Sequence, residues 1–336
     1  NPNLKWETTT QTNIGLDFGF FNQALYGSAE YYIKKTDDIL INPPYIGVIG
    51  EGGSKWYNGA SMENKGYEVS IGYRGNILKD FSYDVSGNIS GYKNKVTKLP
   101  SDVENAYGGN GKGDNILGRP INSFYGYIAD GIFKTQDEVD AHVKQDGKGV
   151  GRIKYRNLND DDVINEDDRT WIGINHPDFS YGLNINLGYK NFDATIFFQG
   201  IHNIAINTYD VKSQTDFWSV NDTRSNKGRR LLDAWSVDNP NSTIPALQAE
   251  NVNDEGRFST YFIENGSYLK LRNVQLGYTL PGSIAKKMYL QKLRFYVSGQ
   301  NLFTVKSKSF TGVDPENAAF GYPIPVTYTV GLSVTL

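Results

Sequence analysis

Pro323-Ile-Pro-Val-Thr-Tyr-Thr-Val-Gly-Leu-Ser-Val-Thr-Leu336 is the stretch whose reading decides the fold. Counted back from Leu336, every second residue (Val334, Leu332, Val330, Tyr328, Val326) is apolar or aromatic. The intervening Thr335, Ser333, Gly331, Thr329 and Thr327 are small or polar. A strand turns successive side chains to opposite faces, so this stretch has one apolar face and one wet face. Its alternating part, from Val326 to Leu336, is uncharged and about ten residues long, the length a tilted strand needs to cross a bilayer. A half-buried edge strand of a soluble sandwich would read the same way, so the decision rests on whether the pattern recurs.

The same alternation recurs along the chain. It predicts strands near 6–20, 24–41, 61–75, 81–97, 178–190, 191–206, 267–280, 291–305 and 324–336. In 267–280 the phase breaks: Leu269 and Leu271 are odd, whereas Val274, Leu276, Tyr278 and Leu280 are even. That predicts a β-bulge near Arg272-Asn273. The connections have a second rhythm, short then long, with long loops at 42–60, 98–177, 207–266 and 306–322. Outer-membrane barrels sort their loops this way, with tight turns on the periplasmic side, and a sandwich has no reason to. Phe18, Phe20, Tyr73, Phe81, Tyr189, Phe192 and Phe295 gather at the short-turn ends, as an interfacial girdle would. The expected fold class is therefore all-β: a portion of a large antiparallel transmembrane β-barrel with long extracellular loops.

Nine strands are an odd number, so the first and last run in the same direction and cannot pair antiparallel with each other. Two open edges are expected, each pairing with strands upstream of this sequence that would also carry a plug.

Composition limits the alternatives. The 336 residues include 23 Tyr, 17 Phe and 36 Gly, which suit strands and tight turns. No run approaches the ~18 apolar residues of a membrane helix, which excludes helical spans and leaves barrels open. The absence of cysteine excludes disulfide scaffolds and Cys-based zinc sites. A net charge of −3 argues for no nucleic-acid partner.

Within the 98–177 insert, Thr135-Gln-Asp-Glu138 is a capping box that predicts a short helix over 135–145. After it, Asn157-Leu-Asn-Asp-Asp-Asp-Val-Ile-Asn-Glu-Asp-Asp168 has the spacing of a calcium loop. Asn157, Asn159, Asp161 and Asp168 would supply side-chain oxygens and Val163 a backbone carbonyl to Ca²⁺ (or Mg²⁺). Position 6 of such loops, normally Gly, is Asp162, a residue type that tolerates a left-handed turn. Loop aromatics form the second candidate set: Trp56, Tyr57, Tyr107, Trp218 and Trp235, whose flat rings suit sugar faces or a protein partner. Packing of loop on loop would use them equally well. His142, His176 and His202 stand apart in no metalloprotease spacing, and no catalytic residues are assigned.

Several motifs resemble a known family. Asn1-Pro-Asn-Leu-Lys-Trp-Glu, Ala60-Ser-Met-Glu-Asn-Lys-Gly-Tyr-Glu, Gly118-Arg-Pro-Ile-Asn-Ser-Phe-Tyr-Gly-Tyr, Tyr189-Lys-Asn-Phe-Asp, Tyr268-Leu-Lys-Leu-Arg-Asn-Val and Val297-Ser-Gly-Gln-Asn-Leu-Phe-Thr stand in this order. Together they resemble the C-terminal part of SusC-type (SusC/RagA-like) TonB-dependent transporters. Leu336 departs from the terminal aromatic that is commoner there. The resemblance implies an outer-membrane barrel of a Gram-negative bacterium, not an enzyme, that imports oligosaccharides or peptides. It also implies a SusD-like surface lipoprotein as lid and TonB as energy source, acting through the plug. The competing class is a secreted β-rich glycan-binding module or glycosidase, which would dissolve without detergent.

Overall fold

The computed structural model describes residues 4–41, 56–77, 79–100, 115–220, 226–319 and 321–336. Nine strands form one antiparallel sheet: β1 (Thr8–Phe20), β2 (Leu25–Ile41), β3 (Tyr57–Ile77), β4 (Phe81–Lys98), β5 (Phe179–Tyr189), β6 (Phe192–His202), β7 (Tyr268–Thr279), β8 (Lys292–Lys306) and β9 (Thr327–Thr335). Their spatial order is their chain order, so every connection joins neighbours. All four long connections therefore leave from one end and all four short ones from the other. β1 and β9 each have a single neighbour among the described residues.

Several bounds differ from the alternation. β3 begins at Tyr57 rather than 61, because Ile41 and Leu40 still pair with Tyr57 and Asn58 beyond register shifts that hide the period. β6 stops at His202 rather than 206; residues Ala205–Asn207 leave the wall and pair with Ile263–Asn265. β9 begins at Thr327 rather than 324. The helix α1 covers only Gln136–Ala141, not 135–145, and Lys144 instead bridges to Val163. Its cap is half the expected box. Thr135 Oγ1 accepts the Glu138 N–H at 3.2 Å, but Glu138 Oε2 accepts from Lys134 N rather than Thr135 N.

The register fixes the faces. Across β1–β2–β3, Ile14, Tyr31 and Tyr67 share a row, as do Leu16, Ala29 and Val69. Ile14, Leu16, Tyr31, Tyr67, Val69, Ile71 and Tyr73 are exposed, so this sheet turns large apolar side chains outward. From Leu25 to Ile33, at about 3.3 Å per residue and a tilt near 40°, the apolar band stands roughly 20 Å tall. The opposite face is lined with small polar groups that bond across strands. Ser28 Oγ meets Ser70 Oγ at 2.8 Å, Tyr26 Oη donates to Asp84 at 2.8 Å and Thr195 Oγ1 donates to Asn186 at 3.0 Å. Glycines in the wall seat aromatic rings from the adjacent strand: a Cβ on Gly72 would lie 2.3 Å from Tyr26 Cζ, and one on Gly66 2.5 Å from Tyr32 Cζ. The bulge falls at Arg272, where Leu271 pairs with Phe303 and Asn273 with Gln300.

The buried core lies in the loops. Ile153, Tyr155, Ile164, Phe217 and Phe262 pack together, drawn from the two longest connections. A folded assembly thus sits at the long-loop end of a wall whose own apolar face looks outward.

Candidate functional site

The two longest loops are locked together by a buried polar network. Arg152 Nη1 reaches Glu255 Oε2 at 3.0 Å, and Glu255 Oε1 accepts the Ile153 N–H at 3.0 Å. Gln145 Nε2 donates to Ile153 O and Asn253 Oδ1, both at 2.8 Å. Burial raises the Glu255 carboxyl pKa, although Arg152 opposes it, and lowers that of Arg152. Beside this network, a polar cleft of about 590 Å³ opens between α1, the 129–132 strand and the segment near Arg230. Lys134, Lys154, Lys212 and Arg230 line it with Asp130 and Glu138. Lys212 is held by Glu264 at 2.9 Å and Arg230 by Asp216 at 2.7 Å, whereas Lys134 and Lys154 have no ion pair among the described residues.

Within the 157–168 loop, three of the predicted donors bond to one another, and Asp168 is held separately by backbone N–H groups. Asn157 Nδ2 donates to Asp161 O, and Asn159 Nδ2 to Asp161 Oδ2 at 2.7 Å. Asp161 Oδ1 accepts the Val163 N–H at 2.9 Å. Asp168 is fully buried; its two oxygens accept the N–H groups of Leu158 and Asn165 at 2.8 and 2.9 Å. Asn165 and Asp168 form a reciprocal capping box on a 3₁₀ turn at Glu166–Asp168. One expectation fails: the left-handed residue is Asp160 (φ 58°), not Asp162, so the turn falls two positions early for the EF-hand pattern. Two observations fit a cation. Asn157 Oδ1 is buried without a hydrogen-bond partner. The fully buried Asp168 carboxyl has no ion pair among the described residues. Among those residues, no three His, Asp or Glu side chains converge, so the donor set would be two carboxylates plus amide and carbonyl oxygens.

The aromatic candidates separate. Trp218 is 44% exposed on the loop assembly. Trp235 is half-buried against Gly151, whose φ of 83° brings the backbone under the indole. Its ring packs on the loop backbone with Nε1 buried and without a hydrogen-bond partner, and sequence alone could not distinguish the two tryptophans. Trp56 is exposed at the start of β3. The Tyr57 side chain and all of Tyr107 lie outside the described residues.

Sequence reasoning missed a charged cluster on the inner wall. Lys270 Nζ lies 2.7 and 2.8 Å from the two Asp314 oxygens and 2.5 Å from Glu316 Oε2. Arg272 also pairs with Glu316, and Tyr268 Oη donates to Glu316 Oε1 at 2.6 Å. Burial would raise the Glu316 carboxyl pKa, but bonds from Lys270, Tyr268 and Arg272 overcome this and hold it at about 2. Two basic residues at successive inward positions, Lys270 and Arg272, were the available signal.

A family model described as TonB dependent receptor-like, beta-barrel, matches residues 1–302. TonB-dependent receptor P3 of Formosa agariphila is 35% identical over 99% of this chain and 34% of its own length. The TonB-dependent receptor SusC of Bacteroides thetaiotaomicron is 31% identical over 99% of this chain and 32% of its own. The solved RagAB peptide transporter superposes with a TM-score of 0.78 at 26% identity, over 99% of this chain and 36% of that one. The chain thus spans about a third of the length of the relatives it matches. The outward apolar band removes the secreted-module alternative, since a water-soluble wall would not expose it. On the family match and this inverted wall together, the chain belongs to the TonB-dependent receptor β-barrel family of the Gram-negative outer membrane.

Proposed function

We propose that the protein containing this barrel wall imports oligosaccharides or peptides, with the long-loop assembly outside the cell. The observation that carries this is the sorting of connections. A folded loop assembly with its own core and a polar cleft stands at one end of a membrane wall, and tight turns at the other. By likeness to SusC and the RagAB transporter, a SusD-like lipoprotein would cover the loops and TonB would drive transport through a plug. Trp56 and Trp218, both exposed at the long-loop end, are the candidate aromatics for meeting lid or cargo. The test is to purify the native complex from outer membranes and identify the co-purifying lipoprotein and ligand by mass spectrometry. A SusD-like chain and an oligomeric ligand are expected; a barrel that purifies without either would overturn the reading.

The 157–168 loop supports a second statement. The buried, partnerless Asn157 Oδ1 and the fully buried Asp168 carboxyl, both in this loop, support a calcium-type ion held by Asn157, Asn159, Asp161, Asp168 and the Val163 carbonyl. Bound there, the ion would neutralise Asp168 and fix a loop too polar to build a core of its own. Chelator should then expose 157–168 to protease while the barrel stays folded. Unchanged protease resistance would make it an ordinary acidic turn.

A further inference from the structure

The polar cleft of about 590 Å³ is lined by both of the longest connections: Lys134, Glu138 and Lys154 come from one, Lys212, Arg230 and Thr243 from the other. What a ligand meets there depends on which charges the protein has already matched with its own. The carboxylates around the cleft are mostly spent. Asp130 takes Arg156 on both oxygens, with Nε at 2.8 Å, and this hydrogen-bonded guanidinium holds its carboxyl below the usual carboxylate range. Asp216 accepts Arg230 Nε at 2.7 Å and Nη2 at 3.0 Å, and Tyr261 Oη at 2.8 Å. Glu264 takes Lys212 at 2.9 Å and the Thr311 N–H at 2.8 Å. Glu138 accepts the Lys134 N–H at 2.7 Å through Oε2, and its Oε1 has no hydrogen bond among the described residues. The cations are matched less fully. Lys134 has no ion pair among the described residues, and Lys154 has only the Phe133 ring, 6.0 Å from its Nζ. Arg230 spends Nε and Nη2 on Asp216, and its Nη1 has no hydrogen bond among the described residues. Two ammonium groups and one guanidinium edge thus stand against one open carboxylate oxygen. The polar hollow near the short turns is built differently, with Arg74 set against Asp84 and Asp193. Unmatched cations are therefore not a general property of the polar hollows of this protein.

We propose that this cleft is a subsite for an acidic unit of the imported oligomer, its carboxylate taken by Lys134, Lys154 and Nη1 of Arg230. The inference rests on the import reading and adds to it the charge of the cargo. The volume is that of a small-ligand pocket and admits a single sugar or amino-acid unit. A carboxylate there makes charge-assisted hydrogen bonds to groups that have no other anion to meet, whereas a neutral unit leaves them unmatched. Because the cations come from both connections, the bound carboxylate also ties one loop to the other. A uronic acid in an oligosaccharide and an Asp or Glu side chain in a peptide offer the same group, and the probes below tell them apart.

The experiment uses the full-length protein purified in detergent from outer membranes, with any lipoprotein that accompanies it. Binding is measured by calorimetry for two matched pairs of probes. One pair is tetragalacturonate and its methyl ester; the other is the end-blocked peptide Glu-Ala-Glu-Ala and its Gln-Ala-Gln-Ala counterpart. In one of the pairs the acidic probe should bind roughly tenfold more tightly than its neutral partner, and that pair identifies the source of the carboxylate. Lys134→Gln/Lys154→Gln should remove the preference, whereas Lys134→Arg/Lys154→Arg should keep it. Lys308→Gln, at an exposed lysine of another long loop, should leave it unchanged. If the Gln double variant fails to fold, judged by heat-modifiable migration on gels, Lys134→Gln alone reads a partial loss of the same preference. Equal binding within both pairs by wild type, or a preference kept in full by a folded Gln variant, would overturn the subsite and leave the import reading standing. Failure of all four probes to bind would also overturn the subsite, while the ligand that co-purifies with the native complex decides the import reading separately.

Discussion

Replacing Lys270 by Met should release the 307–326 loop from the inner wall, by an amount the structure allows to be worked out. Lys270 is 1% exposed, and its cluster is neutral as it stands: Lys270 and Arg272 against Asp314 and Glu316. Methionine keeps most of the volume and removes one positive charge. Arg272 still serves Glu316, so the uncompensated charge falls on Asp314, whose side chain is 11% exposed. Leaving one member of a buried pair without its partner costs about 3–5 kcal/mol, and the slight exposure of Asp314 places this case near 3. About 3 kcal/mol multiplies the population of the detached loop roughly a hundredfold. Adding Asp314→Asn removes the orphaned charge while keeping an acceptor for the Glu316 N–H, which Asp314 Oδ1 now holds at 2.9 Å. The double variant should therefore be tighter than Lys270→Met by about 2 kcal/mol, although it carries one more substitution. Hydrogen exchange of the 307–326 backbone, in the full-length protein in detergent, reads both quantities. If the double variant exchanges as fast as the single one or faster, charge balance does not hold the loop and the reasoning fails.

Two further outcomes follow from the same structure. Glu316 is held at about 2, below its unfolded value, so its contribution is complete above pH ~4.5 and is lost as pH falls toward 2. Protection factors in 307–326, that is exchange relative to the intrinsic amide rate at each pH, should fall over that window in wild type, and protection unchanged from pH 5 to 2.5 would contradict it. Gly66→Ala should displace the Tyr32 ring and cost about 1 kcal/mol of barrel stability in urea, with Tyr32→Ala adding little in the Gly66→Ala background. Additive losses would mean that the ring does not rest on the glycine.

The wall was legible because one physical demand acts on every residue in it. Each outward position meets hydrocarbon and each inward one meets water or loop, so Val330, Leu332 and Val334 alternate with Thr329, Gly331 and Ser333 without exception. The bulge could be placed for the same reason, since one extra residue at Arg272 visibly exchanges odd for even. The loops obey no such rule. Ile153 and Phe262 reach one core from separate connections, and Arg152 finds Glu255 across 103 positions, contacts that no local period encodes. The calcium-loop spacing was legible because its residues are neighbours in sequence, but the left-handed turn moved to Asp160 because φ depends on how the chain enters from Arg156 and leaves toward Lys144. The cleft lysines were likewise hidden. Lys134 and Lys154 read as ordinary loop charges until the fold sets them along one cleft with Arg230.

The free edges of the wall connect this sheet to its setting. Consecutive antiparallel strands alternate in direction, so β1 and β9, the first and ninth in spatial order, run the same way. They cannot close on each other as an antiparallel ladder. Alternate backbone N–H and C=O groups of Thr8–Phe20 and Thr327–Thr335 point away from their single neighbours. At membrane depth each such group left bare costs several kcal/mol, with no water to take the bond. The outward residues of both edge strands nonetheless belong to the apolar band: Ile14, Leu16 and Phe20 on one, Val330, Leu332 and Val334 on the other. Side chains that demand lipid on strands that cannot be left open in lipid are reconciled only by further strands completing the ring. Lying between two parallel edges, those strands must be odd in number, which makes the closed barrel even.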